Sequence, residues 1–519
     1  MKKRFFLIFF IMIFIGRMYG GGKIIKLSLQ DCISQALKKN LDLKIETLSF
    51  EQAEKSLLSF KGLFIPELSL NYSKRKTKSP ASSFLDGANI SKTETDNYEF
   101  QLMEKTPTGG NFRLTLSQSK TETNNRFYGF NPSYNSRLTF AFTQPLLKGF
   151  GLTVTKKEIL IAANTRESSF YSLKQKVIDT IFRVEQAYWN LVYARMNLKV
   201  QQDALALAKD LLAKNEKQVK VGTLAPIEIM VAKSEVASRE SEIIRSKAAI
   251  KSAEDNLKRI LNIKKFEGSW DFEIIPVDNP KTEINFRIPP IKEAIKIAKK
   301  HNPTIKQLEF SLKSRGIDVK YAKNQLLPSL DFQASYWTTG VAGDRIIYEN
   351  NDFFTGNIIA IIKGNSSDAL KDVIKALYNN WSVSLNLKIP LSNSALKARY
   401  ASSKIEFEKA VLQIKSAEQS VIQEIRNAIM EVETNLRMVK ATALARELAK
   451  SKLDAEEKKL MTGLSTNYQV VQYQKDYEQA KSSEVKAIVD LNIAILKFKK
   501  ALGTLLEDRG IKFKNIIER

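Results

Sequence analysis

Cysteine and histidine are nearly absent from this sequence, which holds one of each in 519 residues, Cys32 and His301. A single cysteine excludes an intrachain disulfide, and a single histidine excludes the multi-histidine ligand sets of zinc enzymes. The glycine-rich phosphate-binding loop and the serine nucleophile elbow are missing as well. We therefore predict a protein that is not an enzyme, with no catalytic residue, cofactor or metal site, and with Cys32 as a half-buried helix residue.

Long hydrophobic runs are also scarce. An apolar run spans Phe5–Ile15 directly after the basic residues Lys2, Lys3 and Arg4. Such a run is shorter than the ~20 residues of a spanning helix, and small residues follow at 20–22. We predict that residues 1–22 are a signal peptide, the alternative being an uncleaved anchor. No later stretch is apolar enough for a membrane helix, so the exported chain can enter a membrane only through β-strands.

Acidic residues are outnumbered, with 56 Asp and Glu against 82 Lys and Arg and a net charge of +26. This balance permits nucleic-acid binding by counterion release. However, the cations alternate with glutamates at helical spacing, as in "AEEKKL" at 455–460, which is typical of a solvated coiled-coil face. Because an export signal also contradicts that function, we expect no nucleic-acid partner.

The chain does contain an internal duplication, which determines its architecture. The matched positions are Ile33 with Ile295, Ala36 with Ala298, Asn40 with Asn302, Pro66 with Pro328, Pro145 with Pro390, and Gly222 with Gly463. In each copy a short amphipathic helix is expected to end at Asn40 or Asn302, in the left-handed cap conformation that asparagine tolerates.

Each copy next predicts a pair of strands of about ten residues, since apolar and polar residues alternate before and after a polar loop. The loops are expected over 77–97 and 340–379, and Pro145 and Pro390 are expected to end the returning strands. Four strands cannot close a barrel, which needs ~8, so several chains must share one. A further alternating pattern over 97–120 predicts an extra hairpin, which either adds two strands to each chain or folds outside the barrel.

Long helices follow the two prolines. Apolar residues recur every seven positions from Val177 to Val219, which predicts coiled-coil packing. Gly222 and Gly463 interrupt these helices, and each is predicted to form the turn at which a helical hairpin reverses.

This order of elements resembles the TolC-like outer-membrane efflux proteins over essentially the whole mature chain. The motifs that carry the resemblance are "FTQPLLKGFG" at 142–151, "VGTLAPIEIMVA" at 221–232, "LPSLDFQASY" at 327–336 and "TGLSTNYQVVQYQ" at 462–474. The resemblance implies a mainly α fold with a transmembrane β-barrel section and long antiparallel coiled-coil hairpins, as a homotrimer with a twelve-stranded barrel. It also implies an outer-membrane duct extending into the periplasm, serving tripartite efflux or type I secretion with a periplasmic adaptor and an inner-membrane pump.

The resemblance further implies site residues. The expected adaptor-docking turns are Val221, Gly222, Thr223, Leu224, Thr462, Gly463, Leu464 and Ser465. The helix–strand junctions are Pro66, Pro145, Pro328 and Pro390, and the candidate gate carboxylates are Glu216, Asp454 and Glu457. The alternative for the carboxylates is that they are solvated and paired with neighbouring lysines, an ordinary feature of helix surfaces. The alternative for the whole chain is a structural or adhesive coiled-coil envelope protein with a soluble β-domain and no pore.

The predicted divisions follow from the repeat. They are 1–22 (signal peptide), 23–66 (N-terminal helices, copy one), 67–145 (outer-membrane β-strands with the extra hairpin, copy one), 146–262 (periplasmic helical hairpin, copy one), 263–290 (connecting equatorial segment), 291–328 (helices, copy two), 329–390 (β-strands and loop insertion, copy two), 391–503 (periplasmic helical hairpin, copy two) and 504–519 (C-terminal tail).

Overall fold

The computed structural model describes residues 23–81, 88–125, 127–263, 270, 272–280, 286–351, 357–511 and 513. The predicted signal peptide lies outside these residues, as do parts of the predicted connecting segment and C-terminal tail. The chain divides into two compact units, one of 1–47, 173–302 and 419–519, the other of 48–172 and 303–418. Within the described ranges, every helix is too short or too polar to cross a membrane.

The elements alternate between helices and strands in the duplicated order. In chain order they are β1 (Lys23–Leu27), α1 (Leu29–Lys39), α2 (Leu41–Lys61), β2 (Glu67–Pro80), β3 (Ile90–Lys105), β4 (Asn111–Thr123), β5 (Phe130–Pro145), α3 (Leu152–Thr155), α4 (Lys157–Lys220), α5 (Ile227–Leu261), β6 (Phe272–Pro276), α6 (Ile291–His301), α7 (Pro303–Asn324), β7 (Ser329–Tyr348), β8 (Ile358–Ile362), α8 (Ser366–Ile374), β9 (Tyr378–Lys388), α9 (Ser394–Met461), α10 (Asn467–Leu502) and α11 (Leu505–Asp508). Single turns of 3-10 helix lie at Gly62–Phe64 and Glu349–Asn351.

The first unit is helical apart from β1 and β6, which pair in parallel. Cys32 on α1 is fully buried, so the expectation of half-burial was wrong. The predicted heptad residues Val177, Val184 and Leu191 on α4 are also fully buried. From Leu198 onward the heptad positions are only half-buried, and the buried stripe moves to Ala204, Ala208 and Leu211. A straight helix has 3.6 residues per turn, so a strict 3.5-residue pattern drifts around its surface.

The left-handed caps predicted at Asn40 and Asn302 are wrong. Both residues are extended, with φ/ψ of −61°/126° at Asn40 and −68°/116° at Asn302. Asn40 instead begins the following helix, because its Oδ1 accepts a hydrogen bond from the backbone N–H of Leu43 at 3.0 Å. Its Nδ2 donates to the carbonyl of Ile260 at 2.8 Å. A buried asparagine that caps the next helix has no need of the left-handed conformation.

The second unit contains a seven-stranded antiparallel sheet. Its order is β2-β3-β4-β5-β7-β8, and β9 pairs with the part of β7 that β8 leaves free. The hairpin predicted over 97–120 forms β3 and β4, which lie inside the sheet between β2 and β5. Each chain therefore supplies six long strands rather than four, with β8 as a short addition.

The polar loops predicted over 77–97 and 340–379 are shorter than expected, and residues 82–87 and 352–356 lie outside the described part of the chain. β2 and β3 stay paired as far as Pro80 and Ile90, and 340–379 contains the end of β7, all of β8 and α8, and the start of β9. The polar side chains misled the prediction because the backbone hydrogen bonds between two strands do not depend on side-chain polarity. Here the side chains also pair across strands, with Lys74 Nζ 2.5 Å and Lys76 Nζ 3.0 Å from the carboxylate of Glu94.

Candidate functional site

The first predicted turn joins α4 to α5. The N–H of Gly222 donates to the carbonyl of Val219 at 3.0 Å, and the N–H of Thr223 donates to that of Gln218 at 2.9 Å. This is the Schellman pattern, in which the residue after the helix adopts a positive φ. Gly222 has a φ of +80°, so the reversal predicted at this glycine is confirmed.

The second turn, between α9 and α10, repeats this pattern. The N–H of Gly463 donates to Leu460 at 3.1 Å, the N–H of Leu464 donates to Lys459 at 2.9 Å, and φ of Gly463 is +76°. Thr466 then caps α10 by accepting from the N–H of Gln469. The two turns have the same backbone hydrogen bonds, and each requires glycine because the residue after its first helix has a positive φ.

Apolar side chains project from both turns. Val221 is 72% exposed and Leu464 is 79% exposed. Gly222, Thr223, Thr462 and Gly463 are exposed as well, while Leu224 and Ser465 are half-buried. Each turn therefore presents an exposed apolar side chain beside a glycine.

The three candidate gate carboxylates differ in exposure. Glu216 and Asp454 are exposed and Glu457 is half-buried. In the described ranges none of the three forms an ion pair. Of the alternative, the solvation is therefore met at Glu216 and Asp454, and the lysine pairing is not.

Glu456 is the turn carboxylate that sequence reasoning missed. It is 6% exposed and accepts from the Ser465 hydroxyl at 2.5 Å and from Lys459 at 3.2 Å. The Ser465 hydroxyl, with a smaller effect of Lys459, holds the pKa of the Glu456 carboxyl below its usual value. No sequence signal singles it out, since Glu456 lies three residues after the buried Leu453 and four before Leu460, while Glu457 lies four after and three before.

The two hairpins contact each other close to these turns. Leu211 of α4, Leu453 of α9, and Val470 and Val471 of α10 form one buried cluster. The turns of both copies are therefore held on a common apolar core within the first unit.

A buried ionic cluster, also missed from the sequence, joins α5 to α10. Arg239 Nε donates to Glu235 at 2.7 Å, and its Nη1 pairs with Glu478. Lys475 Nζ lies 3.0 Å from Glu235, and Gln201 of α4 donates to Glu478 at 2.7 Å. An Arg and a Glu four residues apart look the same in sequence whether they lie on a surface or between helices.

The sheet of the second unit has one apolar face and one polar face. Register places one residue from each long strand in a single apolar row, Leu68, Leu102, Leu114, Phe140, Tyr336 and Trp381. Further apolar residues on this face are Leu70, Tyr72, Tyr98, Phe100, Phe112, Leu116, Leu138, Phe142, Leu330, Phe332, Val383, Leu385 and Leu387. The opposite face is polar and carries a cavity of about 660 Å³ lined by residues such as Asn71, Glu99, Ser117 and Arg137.

The sheet has two free edges. In the part of the chain that the structure describes, no strand pairs with the outer edge of β2 or of β9.

The four junction prolines lie at the ends of four long strands of the sheet. Pro66 directly precedes β2, Pro328 directly precedes β7, Pro145 is the last residue of β5, and Pro390 follows β9 by two residues.

Comparison with known proteins gives a consistent result. Residues 111–262 and 294–504 match the family described as "Outer membrane efflux protein". The chain is 22% identical over 361 residues to outer membrane protein TolC of Escherichia coli, covering 69% of this chain and 67% of TolC. It is 22% identical over 394 residues to nodulation protein T of Rhizobium leguminosarum, covering 74% and 76%.

Two solved structures share the fold. A membrane protein from Pseudomonas aeruginosa superposes with a TM-score of 0.65 at 16% identity, covering 92% of this chain and 90% of that one. The open state of the Neisseria gonorrhoeae MtrE outer membrane channel gives 0.62 at 18% identity, covering 92% and 89%. The predicted fold class is confirmed by these likenesses.

Proposed function

Because the chain belongs to the outer membrane efflux protein family, we propose that it forms the outer-membrane channel of a tripartite efflux or type I secretion system. It conducts substrate passively, with no catalytic step, from an inner-membrane pump across the periplasm and the outer membrane. The observation that carries this proposal is the two-faced sheet, whose exposed apolar face suits lipid and whose polar face suits a water-filled passage.

We propose that three copies close the channel wall. Strands β2 and β9 each leave a row of backbone donors and acceptors without a partner, and in lipid such groups must be paired. β2 runs away from its junction at Pro66 and β9 runs toward its junction at Pro390, so the β2 of one copy and the β9 of the next would lie antiparallel. Three copies supply eighteen long strands, not the twelve expected from the resemblance. Barrels of 16–18 strands leave an aqueous channel.

We further propose that the two turns receive a periplasmic adaptor. Support comes from the exposed Val221 and Leu464 and from the absence of any side chain on Gly222 and Gly463, which lets a partner approach the backbone. The gate role of Glu216, Asp454 and Glu457 stays a proposal, favoured by their lack of ion pairs among the described residues. A ring of such carboxylates would hold cations at the narrowest part of the passage.

Conductance in planar bilayers tests the channel and its gate together. The wild type should insert as discrete channels, and Asp454→Asn with Glu457→Gln should raise the single-channel conductance on the order of twofold, since fixed charge at a constriction sets ion passage. The matched control is Glu433→Gln with Glu447→Gln, two exposed carboxylates on the same helix. Equal conductance in all three proteins would remove Asp454 and Glu457 as gate residues.

Membrane extraction separates the channel from the structural alternative. A channel stays in the outer-membrane fraction after high salt and runs as a heat-modifiable oligomer. A monomer that salt releases would contradict the channel proposal.

A further inference from the structure

Helix α8 lies directly on the sheet of the second unit. A Cβ built on Gly340 would lie 2.0 Å from the carbonyl oxygen of Ala369, so only glycine permits this approach. Ser136 and Thr338 beneath the helix are each 2% exposed. Gln118 Nε2 also donates to the carbonyl of Ser366 at 3.2 Å. The helix is therefore docked on β4, β5 and β7.

The strand register shows which face of the sheet α8 covers. Ser136 pairs with Gly340, and two residues further along Leu138 pairs with Thr338. Directly paired residues lie on one face of a sheet, and so do residues two apart along a strand. The helix consequently lies on the face of Leu138 and Phe140, the apolar face, and not on the polar face that carries the cavity.

The helix also lies at one border of the apolar band. On the apolar face, β7 carries apolar residues from Leu330 to Tyr336, followed by Thr338 and Gly340. On β9 the apolar residues of this face end at Trp381. Tyr72 and Tyr98 mark the same border on β2 and β3, with ring centroids 5.0 Å apart. Aromatic residues at the rim of an outward apolar band are typical of a lipid–water boundary. The junction prolines lie at the opposite ends of the strands from α8. In the proposed channel the helices beyond those prolines lie in the periplasm, so the border at α8 is the one in the outer leaflet.

The free side of α8 carries exposed polar and charged residues, Ser367, Lys371 and Lys375, beside two exposed apolar residues, and its charges balance. Ala369 and Val373 pack on the sheet, whereas Ile374 is 74% exposed and Leu377, just after the helix, is 56% exposed. The charges in the segment are Asp368, Lys371, Asp372 and Lys375, two of each sign, and Lys371 lies 3.1 Å from Asp368. Lys363 nearby pairs with Asp344 at 2.5 Å. Apolar contact, not net charge, is therefore what this surface offers a partner.

We propose that α8 lies in the outer leaflet as an interfacial helix, with Ile374 and Leu377 in contact with lipid acyl chains. A short amphipathic helix in the plane of a membrane buries its apolar side chains at the boundary between headgroups and chains. Held by Gly340 and Gln118, α8 fixes the height of the sheet in the membrane. The inference rests on the proposed function, because it needs the apolar face to meet lipid.

Depth-dependent fluorescence quenching tests this placement. Single cysteines at Ile374→Cys, Leu385→Cys and Asn135→Cys carry an environment-sensitive maleimide dye, since the native Cys32 is fully buried. The proteins are reconstituted in phosphatidylcholine vesicles that contain lipids with a nitroxide near the headgroup or near the chain end. Residue 374 should be quenched several-fold more by the shallow nitroxide, residue 385 more by the deep one, and residue 135 on the polar face by neither.

The three positions separate the possible failures. Quenching at 374 no greater than at 135, with strong quenching at 385, would overturn the placement of α8 alone. Weak quenching at both 374 and 385 would overturn the proposed membrane channel itself. Quenching at 374 that requires added phosphatidylglycerol would overturn the apolar account, because a charge-balanced helix needs no anionic lipid.

Discussion

Single residues determine how the two hairpins reverse. Gly222 and Gly463 adopt φ values of +80° and +76°, and no atom lies within 4 Å of a Cβ built on either. A side chain at these positions therefore meets free space, and the obstacle to substitution is the backbone conformation.

Gly463→Val tests what the second turn requires. Valine is β-branched and disfavours positive φ, costing about 1–2 kcal/mol in the turn, whereas asparagine tolerates it. We expect Gly463→Val to abolish export while trimers persist, and Gly463→Asn to retain most of it. Transport of the system's substrate and gel mobility of the unheated oligomer measure the two effects. Normal export by the valine variant would argue against adaptor docking at this turn.

Ser465→Ala gives a pH-dependent effect at the same turn. The Ser465 hydroxyl lowers the pKa of the Glu456 carboxyl, so its stabilisation is fully present above the unfolded value of about 4.3 and is lost as pH falls through the folded pKa. Hydrogen exchange over 462–466 should be faster in Ser465→Ala at pH 7, and the difference from wild type should shrink as pH falls below about 4.3.

Thr223→Ala is the matched control for this pH dependence. Thr223 Oγ1 donates to the carbonyl of Gln218, which does not titrate. Its effect on exchange at the first turn should stay constant with pH. A Ser465→Ala effect that is equally constant would show that Glu456 plays no part.

The sequence revealed some of these residues and concealed others. A glycine that interrupts a long helical pattern has one physical explanation, so both turns were predicted correctly. Glu456 and its neighbours Asp454 and Glu457 are all acidic, and only the packing of Leu453 and Leu460 determines which one is buried. Asn40 was misjudged because its side chain caps the next helix through contacts that local sequence does not specify.

At the scale of elements, the hairpins are joined by a charge network as well as by apolar packing. Arg239 is 6% exposed and lies between the carboxylates of Glu235 and Glu478. Removing one partner of a buried ionic group leaves charge uncompensated, which costs about 3–5 kcal/mol.

Arg239→Met tests this link between α5 and α10. We expect a clear fall in the thermal unfolding midpoint of the helical signal, because two carboxylates remain in a buried site. Arg245→Met is the matched control on the same helix, since Arg245 is largely exposed and its described partners are Ser241 and Glu242 of the same helix. Equal midpoints for the two variants would mean that the network does not hold the helices together.

A helix or strand shows in the sequence where a hydrophobic period carries the signal. The helices and the paired apolar parts of the strands follow from it. The outer halves of β2 and β3 were not predicted, because charged residues such as Lys74 and Glu94 pair across the strands and their sequence resembles that of a loop. Helix α8 was missed because its apolar face is short and docks on a glycine.

At the scale of the whole molecule, the sheet leaves two free edges. The six long strands end at β2 and β9, and the proposed neighbouring copies would pair these edges. The duplication was predicted from the sequence. The number of strands could not be predicted, because an extra hairpin has the same alternation of apolar and polar residues whether it lies inside or outside the sheet.

A lysine on the outward face tests whether the sheet meets lipid. Leu385 is 61% exposed on the apolar face, and its neighbour Asn386 points to the polar face. Lysine facing lipid at the membrane midplane costs about 2–4 kcal/mol. Leu385→Lys should sharply reduce the yield of heat-modifiable oligomer in vesicles, and Asn386→Lys should leave it near wild type. Equal yields would indicate that this face does not contact lipid.

Cross-linking between the two sheet edges tests the central claim most directly. Within one chain β2 and β9 are separated by five strand spacings, about 24 Å at ~4.8 Å each, so a short linker cannot join them. Burial raises the pKa of the Cys32 thiol to about 12, which keeps it unreactive toward maleimides.

The measurement uses a chain carrying Asn71→Cys on β2 and Ser384→Cys on β9, treated in the membrane with a flexible bismaleimide. Its control pairs Ser384→Cys with Asn135→Cys on the interior strand β5. We predict covalent dimers and trimers, and nothing larger, for the edge pair, with monomers for the control. Monomers alone from the edge pair, tried at successive positions along β2, or a ladder that extends beyond trimers, would contradict a barrel closed by three copies.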